Sequence, residues 1–499
     1  MSRVVVVGAG MAGLACAARL AVKGHDVVVL EQAPTWGGKL GWYTRDGFSF
    51  DTGPSLLTLP AVYRDTFLKT GAALEDCVDL VGVDPVCHYR FADGTELDLP
   101  DADRRAVARA FDEALGIGAG DDWLRFLAHA GRIWQATRGP FLTSPLEGPI
   151  DLLRQSTRLR DLHTIAPWRT LDAMGRRYLR DPRLRQFLWR YATYTGSDPR
   201  RAPAALAVVP YVEQTFGAHY VRGGLRRLGE ALYERCLERG VTFRFDTDVA
   251  EVLVERGRAV GVRLGDDERL SADHVVCNAD AAEVYGRLVT DESGDPGRAR
   301  LRKATPSLAG FVLLLALDGR TPGLRHHTVL FPEDYAAEFD AIFAKVPHPV
   351  DDPTVYIAAP DDPALRPDDD TEAWFVLVNA PRHDPAAARG RGVDWEEPGL
   401  AEDYADRVLA VMADRGLDVR DRVRWRVVRT PADLERDTRA PGGSIYGTSS
   451  NGARSAFLRA ANRSPVPGLY LAGGSAHPGG GLPLVGLSAE LVADLIGRA

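Results

Sequence analysis

Three short stretches of this 499-residue sequence combine glycine with residues able to do chemistry. The first is Gly8-Ala9-Gly10-Met11-Ala12-Gly13, followed 18 positions after its last glycine by Glu31. A turn of this kind holds a pyrophosphate. Gly8 permits the tight bend, Gly10 lets backbone N–H groups approach the phosphates, and Gly13 packs a helix on a strand. Glu31 at that spacing accepts hydrogen bonds from a ribose hydroxyl. The second stretch, Gly37-Gly38-Lys39 and then Asp51-Thr52-Gly53-Pro54-Ser55, adds a glycine pair, a cation and a carboxylate. The third runs from Gly473-Gly474 through His477-Pro478-Gly479-Gly480-Gly481 to Leu482-Pro483-Leu484-Val485. Glycine loses more backbone entropy on folding than any other residue, so this density needs something that the backbone must approach closely.

The elements that position these residues are legible in part. Val4 to Val7 has the length and β-branching of a buried parallel strand. Leu14 to Lys23 is helical, Gly24 stops it, and Asp26 to Leu30 is a second strand ending at Glu31. Strand, glycine turn, helix and second strand in this order form a βαβ dinucleotide unit. Tyr43 and Phe48-Phe50 flank Asp46-Gly47, a strong hairpin turn. Gly468 to Ala472 ends a buried strand, and Pro483 fits the first turn of a helix buried through Leu484, Leu487, Leu491 and Leu495, whose positive end faces the cofactor.

Between the ends, residues 101–192 are rich in helix formers and arginine. Their last helix has Asp181 as N-cap, Pro182 at N1, a face of Leu184, Phe187, Leu188 and Tyr191, and Gly196 as terminator. From Val221 onward Gly223-Gly224 precede a helix, and strands follow at 242–245, 249–254, 260–264 and 273–280. Residues 291–429 supply strands at 311–317, 328–331, 355–357, 374–378 and 423–428, which suggest a mixed sheet carrying a substrate site.

These motifs resemble the flavoprotein superfamily of amine oxidases and, more closely, phytoene desaturase and its carotenoid desaturase relatives. That family carries a Glu, a Gly-Gly-Arg or Gly-Gly-Lys, and an Asp-x-Gly-Pro, matched by Glu31, Gly37-Gly38-Lys39 and Asp51-Thr52-Gly53-Pro54. Near its C-terminus it shows a Leu-Tyr strand, small residues and His-Pro-Gly-x-Gly-x-Pro, matched by Leu469-Tyr470 and His477 to Pro483. Gly474-Ser475 stands where amine oxidases carry an acid, which favours the desaturase branch. The resemblance covers nearly the whole chain and is specific at the two ends.

It implies non-covalent FAD and an α/β fold: a discontinuous Rossmann-like, GR2-type FAD-binding domain (1–100, 215–290, 430–499), a helical insertion (101–214) with a candidate membrane face, and a mixed-sheet substrate domain (291–429). The implied cofactor residues are Gly8, Gly10, Met11, Ala12, Gly13, Glu31, Gly37, Gly38, Lys39, Gly53, Pro54, Val249, Gly473, Gly474, Leu482, Pro483, Leu484 and Val485. Within these, Val249 lies nearest the adenine and Lys39 near the phosphate and ribityl region. The implied reaction desaturates a carotenoid by hydride transfer to flavin N5, with oxygen or a quinone as final acceptor. His477 is the candidate catalytic group, against a bracing role in the glycine loop. Alternatives are a carotenoid oxidase or cis–trans isomerase, an amine or porphyrinogen oxidase, and a prenyl-lipid carrier like the Rab GDP-dissociation inhibitors.

Composition trims the alternatives. Net charge is −8, giving no reason to expect nucleic acid. The five cysteines are scattered without a CxxC, and His326-His327 lacks partners at ligand spacing, so no metal site is expected. The N-terminus imitates a secretory signal, but Gly8, Gly10 and Gly13 interrupt its apolar run. No apolar run approaches the ~20 residues of a membrane span. Between Arg154 and Arg190 lie ten arginines (154, 158, 160, 169, 176, 177, 180, 183, 185 and 190) and three acids (Asp161, Asp172 and Asp181). Interleaved are Leu152, Leu153, Leu159, Leu162, Ile165, Trp168, Met174, Tyr178 and Leu179. This belt reads as a solvated face or as a patch, within 150–195, that meets anionic lipid on the cytoplasmic side of a membrane.

Overall fold

The computed structural model describes residues 1–146, 159–386 and 392–499. Its N-terminal strand, Arg3–Val7, sits in a five-stranded parallel sheet between Asp26–Leu30 and His274–Cys277. Thr242–Arg244 extends one edge and Leu469–Leu471 the other. Val4, Val5 and Val6 are fully buried, as a strand covered on both faces requires. The helices Met11–Val22 and Leu482–Ile496 pack side by side on this sheet, so the first and last glycine-rich segments become neighbours.

The hairpin forms as its sequence dictates, with Trp42–Arg45 pairing Phe48–Asp51 and both turn residues at positive φ, Asp46 at 53° and Gly47 at 81°. A second sheet has seven strands, in the order Val423–Arg429, Ala309–Asp318, Thr371–Ala380, Val355–Ala358, His327–Leu330, Cys87–Arg90 and Glu96–Leu99. The last two belong by sequence to the segment assigned to the cofactor domain. His88 to Arg90 instead pairs in parallel with Thr328 to Leu330, so the domain boundary at residue 100 does not hold for the sheet.

The middle segment is helical, with Arg104–Leu115, Ala119–Thr137, Leu159–Ile165, Leu171–Tyr178, Pro182–Thr193 and Val208–Phe216. Asp181 caps the fifth of these by accepting from the Arg183 N–H at 2.7 Å. The arginine belt is more structural than its composition suggests. Met174 and Leu179 are buried in the core, and Arg176, Arg180 and Arg183 pair with Asp172, Asp122 and Asp181. Leu152, Leu153, Arg154 and Arg158 lie outside the described residues. No helix among the described residues is long and apolar enough to cross a membrane.

Candidate active site

One continuous cavity of about 1120 Å³ runs between the five-stranded sheet, the seven-stranded sheet and the helical segment. Every residue named above for the cofactor lines it except Gly13, which lies one layer behind. A Cβ on Gly13 would stand 2.1 Å from the Gly8 carbonyl oxygen, so only glycine lets the helix start this close to the strand. Gly8 itself has φ 98°.

The mouth of the turn is built for an anion. The Met11–Val22 helix begins at Gly10 with no side-chain cap and no acid in its first turn, leaving its first N–H groups without side-chain acceptors. Gly37 and Gly38 close over it, and Gly38 approaches so that a Cβ would be 3.4 Å from the Gly10 Cα. Glu31 accepts from the Ala9 N–H at 2.7 Å and the Ala33 N–H at 2.9 Å. Those bonds fix the carboxylate at the cavity wall beside Gln32, Thr247, Asp248 and Val249, with acceptor capacity remaining. A second uncapped helix N-terminus, at Leu482–Ile496, opens on the same cavity. The Met11 helix end with its unbonded N–H groups, the glycine cradle and the held carboxylate fit the pyrophosphate and ribose of a dinucleotide, and the Leu482 helix end faces the same cavity.

Three groups tie these loops together: Asn278 and Arg459, which sequence reasoning passed over, and Lys39, which it named. Asn278 ends the His274–Cys277 strand, donates to the Ala472 carbonyl at 2.8 Å, and presses on both glycine loops. Cβ atoms on Gly10 or Gly473 would meet its amide at 2.5 and 2.6 Å. Arg459 is buried and donates to the carbonyls of Tyr446, Gly474 and Thr448 at 3.0, 2.5 and 2.6 Å. Burial lowers its pKa to about 10, with Asp280 opposing, so it stays charged at neutral pH. Lys39 points its ammonium at the Ser444 and Ile445 carbonyls, 2.8 Å each, and burial lowers its pKa too. The signal for Asn278 was the polar turn that closes the buried strand beside Val4–Val7.

His477 does not line the cavity. Its Nε2 is 3.1 Å from the Ser144 carbonyl oxygen, and its ring meets Phe141 edge-on at 5.2 Å. Burial lowers its pKa to about 4, leaving a neutral imidazole that donates to Ser144. This geometry braces the glycine loop against the helical segment. His326 and His327 are also held neutral by burial, their pKa values lowered to about 2 and about 4, and His327 Nδ1 is 2.9 Å from the Val86 carbonyl oxygen. Elsewhere His383, Asp394 and Glu396 lie close together, but the Trp395 N–H is hydrogen-bonded to His383 Nδ1.

Beyond the glycine loops the cavity becomes an apolar tunnel lined by Trp134, Phe141, Leu142, Ile165, Leu206, Val208, Val209, Val312 and Phe375. Near Pro167 and Trp168 it reaches the surface, where Trp168 is 63% exposed. A set of polar residues interrupts the apolar lining: Arg190, Thr193, Tyr194, Glu213, Tyr356 and Asn379. Such a shape takes a long, flexible or conjugated hydrocarbon.

Residues 11–330 match the family model described as flavin containing amine oxidoreductase. The chain is 37% identical to a hydroxyneurosporene desaturase of Rubrivivax gelatinosus, covering 99% of this chain and 93% of the relative. It is 34% identical to a 4,4'-diapolycopene oxygenase of a Methylomonas species, covering 99% and 98%, and 32% identical to a 1-hydroxycarotenoid 3,4-desaturase of a Flavobacterium strain, covering 99% of each. Among solved structures, a putrescine oxidase superimposes with a TM-score of 0.66 at 15% identity, covering 100% and 99% of the two chains, which speaks for the fold alone.

Proposed function

The chain belongs to the flavin-containing amine oxidoreductases, in their carotenoid desaturase branch, and from that premise we propose that it is an FAD-dependent desaturase introducing carbon–carbon double bonds into a carotenoid. The observation that carries this reading is the continuity of the cavity, in which a dinucleotide cradle opens directly into a long apolar tunnel. The residues present fit FAD: Gly8, Gly10 and the Met11 helix end for the pyrophosphate, Glu31 for a ribose, Val249 for the adenine side, and Gly53-Pro54 with Leu482 to Val485 for the flavin ring.

When bound, the flavin supplies a two-electron acceptor for a hydride leaving a CH2–CH2 unit. The protein's own part is positional. The tunnel walls exclude water and hold the polyene in line, which replaces a bimolecular encounter by a fixed approach. Conjugation spreads the positive charge that develops on carbon, and the neighbouring carbon then loses a proton, so one C–C single bond becomes double. Gly479 to Gly481 leave a side-chain-free passage along the loop before the last helix. Oxygen or a quinone is the proposed acceptor that restores the oxidised cofactor.

The exposed Trp168 at the tunnel mouth, beside the exposed Arg169, supports uptake of substrate from a membrane surface, and we place the protein peripherally on the cytoplasmic side. The relative named as an oxygenase favours a second reading, in which oxygen enters the carotenoid product. Two other relatives are named for hydroxylated polyenes. Expression in cells that accumulate defined carotenoid precursors, followed by pigment absorption and product mass, tests the reading. Desaturation lengthens the chromophore and removes two mass units per step. A product heavier by oxygen favours the second reading, and unchanged pigment refutes both.

A further inference from the structure

We propose that Arg190 and Glu213 form a polar pair inside the tunnel that selects polyenes ending in a hydroxyl group and sets that end beside the flavin site. This rests on the desaturase reading and deepens it, by naming the substrate's end group and the side chains that read it.

Arg190 lies on the Pro182–Thr193 helix, is 7% exposed, and lines the cavity. Among the described residues no carboxylate forms an ion pair with it. Its guanidinium rests over the rings of Tyr194 and Tyr356, 5.4 and 5.3 Å from their centroids, and gives a 2.5 Å hydrogen bond to Thr193 Oγ1. Its Nε has no partner among the described residues. A buried charge held by aromatic faces and one hydroxyl is under-satisfied, and apolar surroundings make that costly. A substrate oxygen would complete it.

Glu213, on the adjacent Val208–Phe216 helix, is 3% exposed, accepts the Tyr191 hydroxyl at 2.5 Å, and lines the same cavity. Burial pushes its pKa up to about 7, while the Tyr191 bond and the Arg190 charge pull it back. Near neutral pH the carboxyl therefore both accepts and donates. A hydroxyl is the end group that uses both partners at once, since its lone pairs accept from the guanidinium while its O–H is given to or shared with the carboxyl. A hydrocarbon end satisfies neither and leaves both desolvated. Sites built to bond a substrate hydroxyl reject analogues lacking it far more strongly than apolar pockets reject a missing methylene.

The pair also fixes where the end lies. Tyr356, under the guanidinium, shares a 2.5 Å hydrogen bond with Ser55, directly after the Gly53-Pro54 turn assigned to the flavin ring. The hydroxylated end, rather than the middle of the polyene, is thus placed on the Gly53-Pro54 side of the cavity, and the new double bond is expected towards that end.

The test uses FAD-loaded protein and two polyenes of equal length and conjugation, one ending in a hydroxyl and one a hydrocarbon. Binding is read from quenching of protein fluorescence, turnover from kcat and KM, and double-bond position from product spectra. The wild type should prefer the hydroxylated polyene by about 100-fold, the span of hydrogen bonds to a charged group. Arg190→Leu should remove most of that preference by loss on the hydroxylated substrate alone, visible in binding, and Arg190→Lys should restore part. Glu213→Gln, which keeps an acceptor for Tyr191, should cost about tenfold and carries the test if the leucine variant does not fold. Equal handling of both polyenes by wild type, or a parallel loss on both in the variants, overturns the proposal while the desaturase reading stands. Failure to bind either polyene overturns both.

Discussion

Gly13→Ala is the smallest change that tests how the cofactor cradle is built. The added methyl would lie 2.1 Å from the Gly8 carbonyl oxygen and 3.2 Å from Asn278 Oδ1. Against an ordinary contact of about 3.5 Å the first shortfall is roughly 1.4 Å. The obstruction is backbone, so no rotamer change relieves it, and the helix start must move off the strand. Overpacking of this kind costs about 1–3 kcal/mol, and a rigid neighbour places this site at the upper end. If the apo protein relaxes by shifting the helix, that energy is charged against cofactor binding, because the N–H groups no longer converge on the phosphates. About 3 kcal/mol corresponds to roughly a 100-fold weaker FAD affinity. The assay is FAD titration of apoprotein followed by the thermal shift on saturation, with Gly286→Ala as control. Gly286 is helical and exposed, and an added Cβ meets nothing within 4 Å, so that variant should bind FAD as the wild type does. Unchanged affinity in Gly13→Ala would refute the close-packing account of the turn.

Other outcomes follow from the buried groups and the surface. Glu213 has a folded pKa raised from 4.5 to about 7, so its contribution favours the fold below pH 4.5 and is lost as pH rises through 7. The melting temperature of Glu213→Gln relative to wild type should therefore climb between pH 5 and 8, by up to about 3 kcal/mol equivalent; a flat difference would contradict it. His477, held at about 4, works in the opposite direction: its contribution is present above the unfolded value of 6.5 and lost as pH falls towards 4. His477→Asn should destabilise by about 1–3 kcal/mol through the lost Ser144 bond yet leave the shape of the pH–rate profile unchanged, whereas a vanished ionisation in that profile would make the imidazole catalytic. Anionic liposomes should sediment the protein, less so at high salt, and Trp168→Ser should weaken this. Equal binding to neutral liposomes would remove the electrostatic part of the membrane proposal.

The cradle was legible because phosphate binding imposes local spacing. Gly8, Gly10, Gly13 and Glu31 sit on one strand–turn–helix–strand unit, and that unit folds as its residues direct. The C-terminal loop was legible for a similar reason, since glycines that must admit a cofactor leave their mark in consecutive positions. What the chain hid depends on distant partners. The orientation of His477 is set by Ser144, 333 residues away, and no pattern around the histidine signals which way the ring turns. The seven-stranded sheet recruits Cys87–Arg90 across more than two hundred residues, so its boundary cannot be found from local composition. Arg190 was counted among ten arginines of a surface belt, and helical periodicity did place its neighbours Phe187, Leu188 and Tyr191 on a buried face. Its own burial arises because the Tyr194 and Tyr356 rings and the Thr193 hydroxyl close around the guanidinium, and Tyr356 comes from the distant strand Val355–Ala358.

The central claim, that the cradle and the tunnel serve one redox reaction, is tested most directly by anaerobic single turnover. FAD-loaded protein is mixed with a slight excess of a partly conjugated, hydroxyl-ended polyene in detergent or liposomes, and the flavin and polyene bands are followed together. The account predicts that flavin absorbance bleaches as the polyene band moves to longer wavelength, one new double bond per flavin reduced. A polyene shift with the flavin band unchanged, or bleaching by a soluble amine with no response to any polyene, would contradict it.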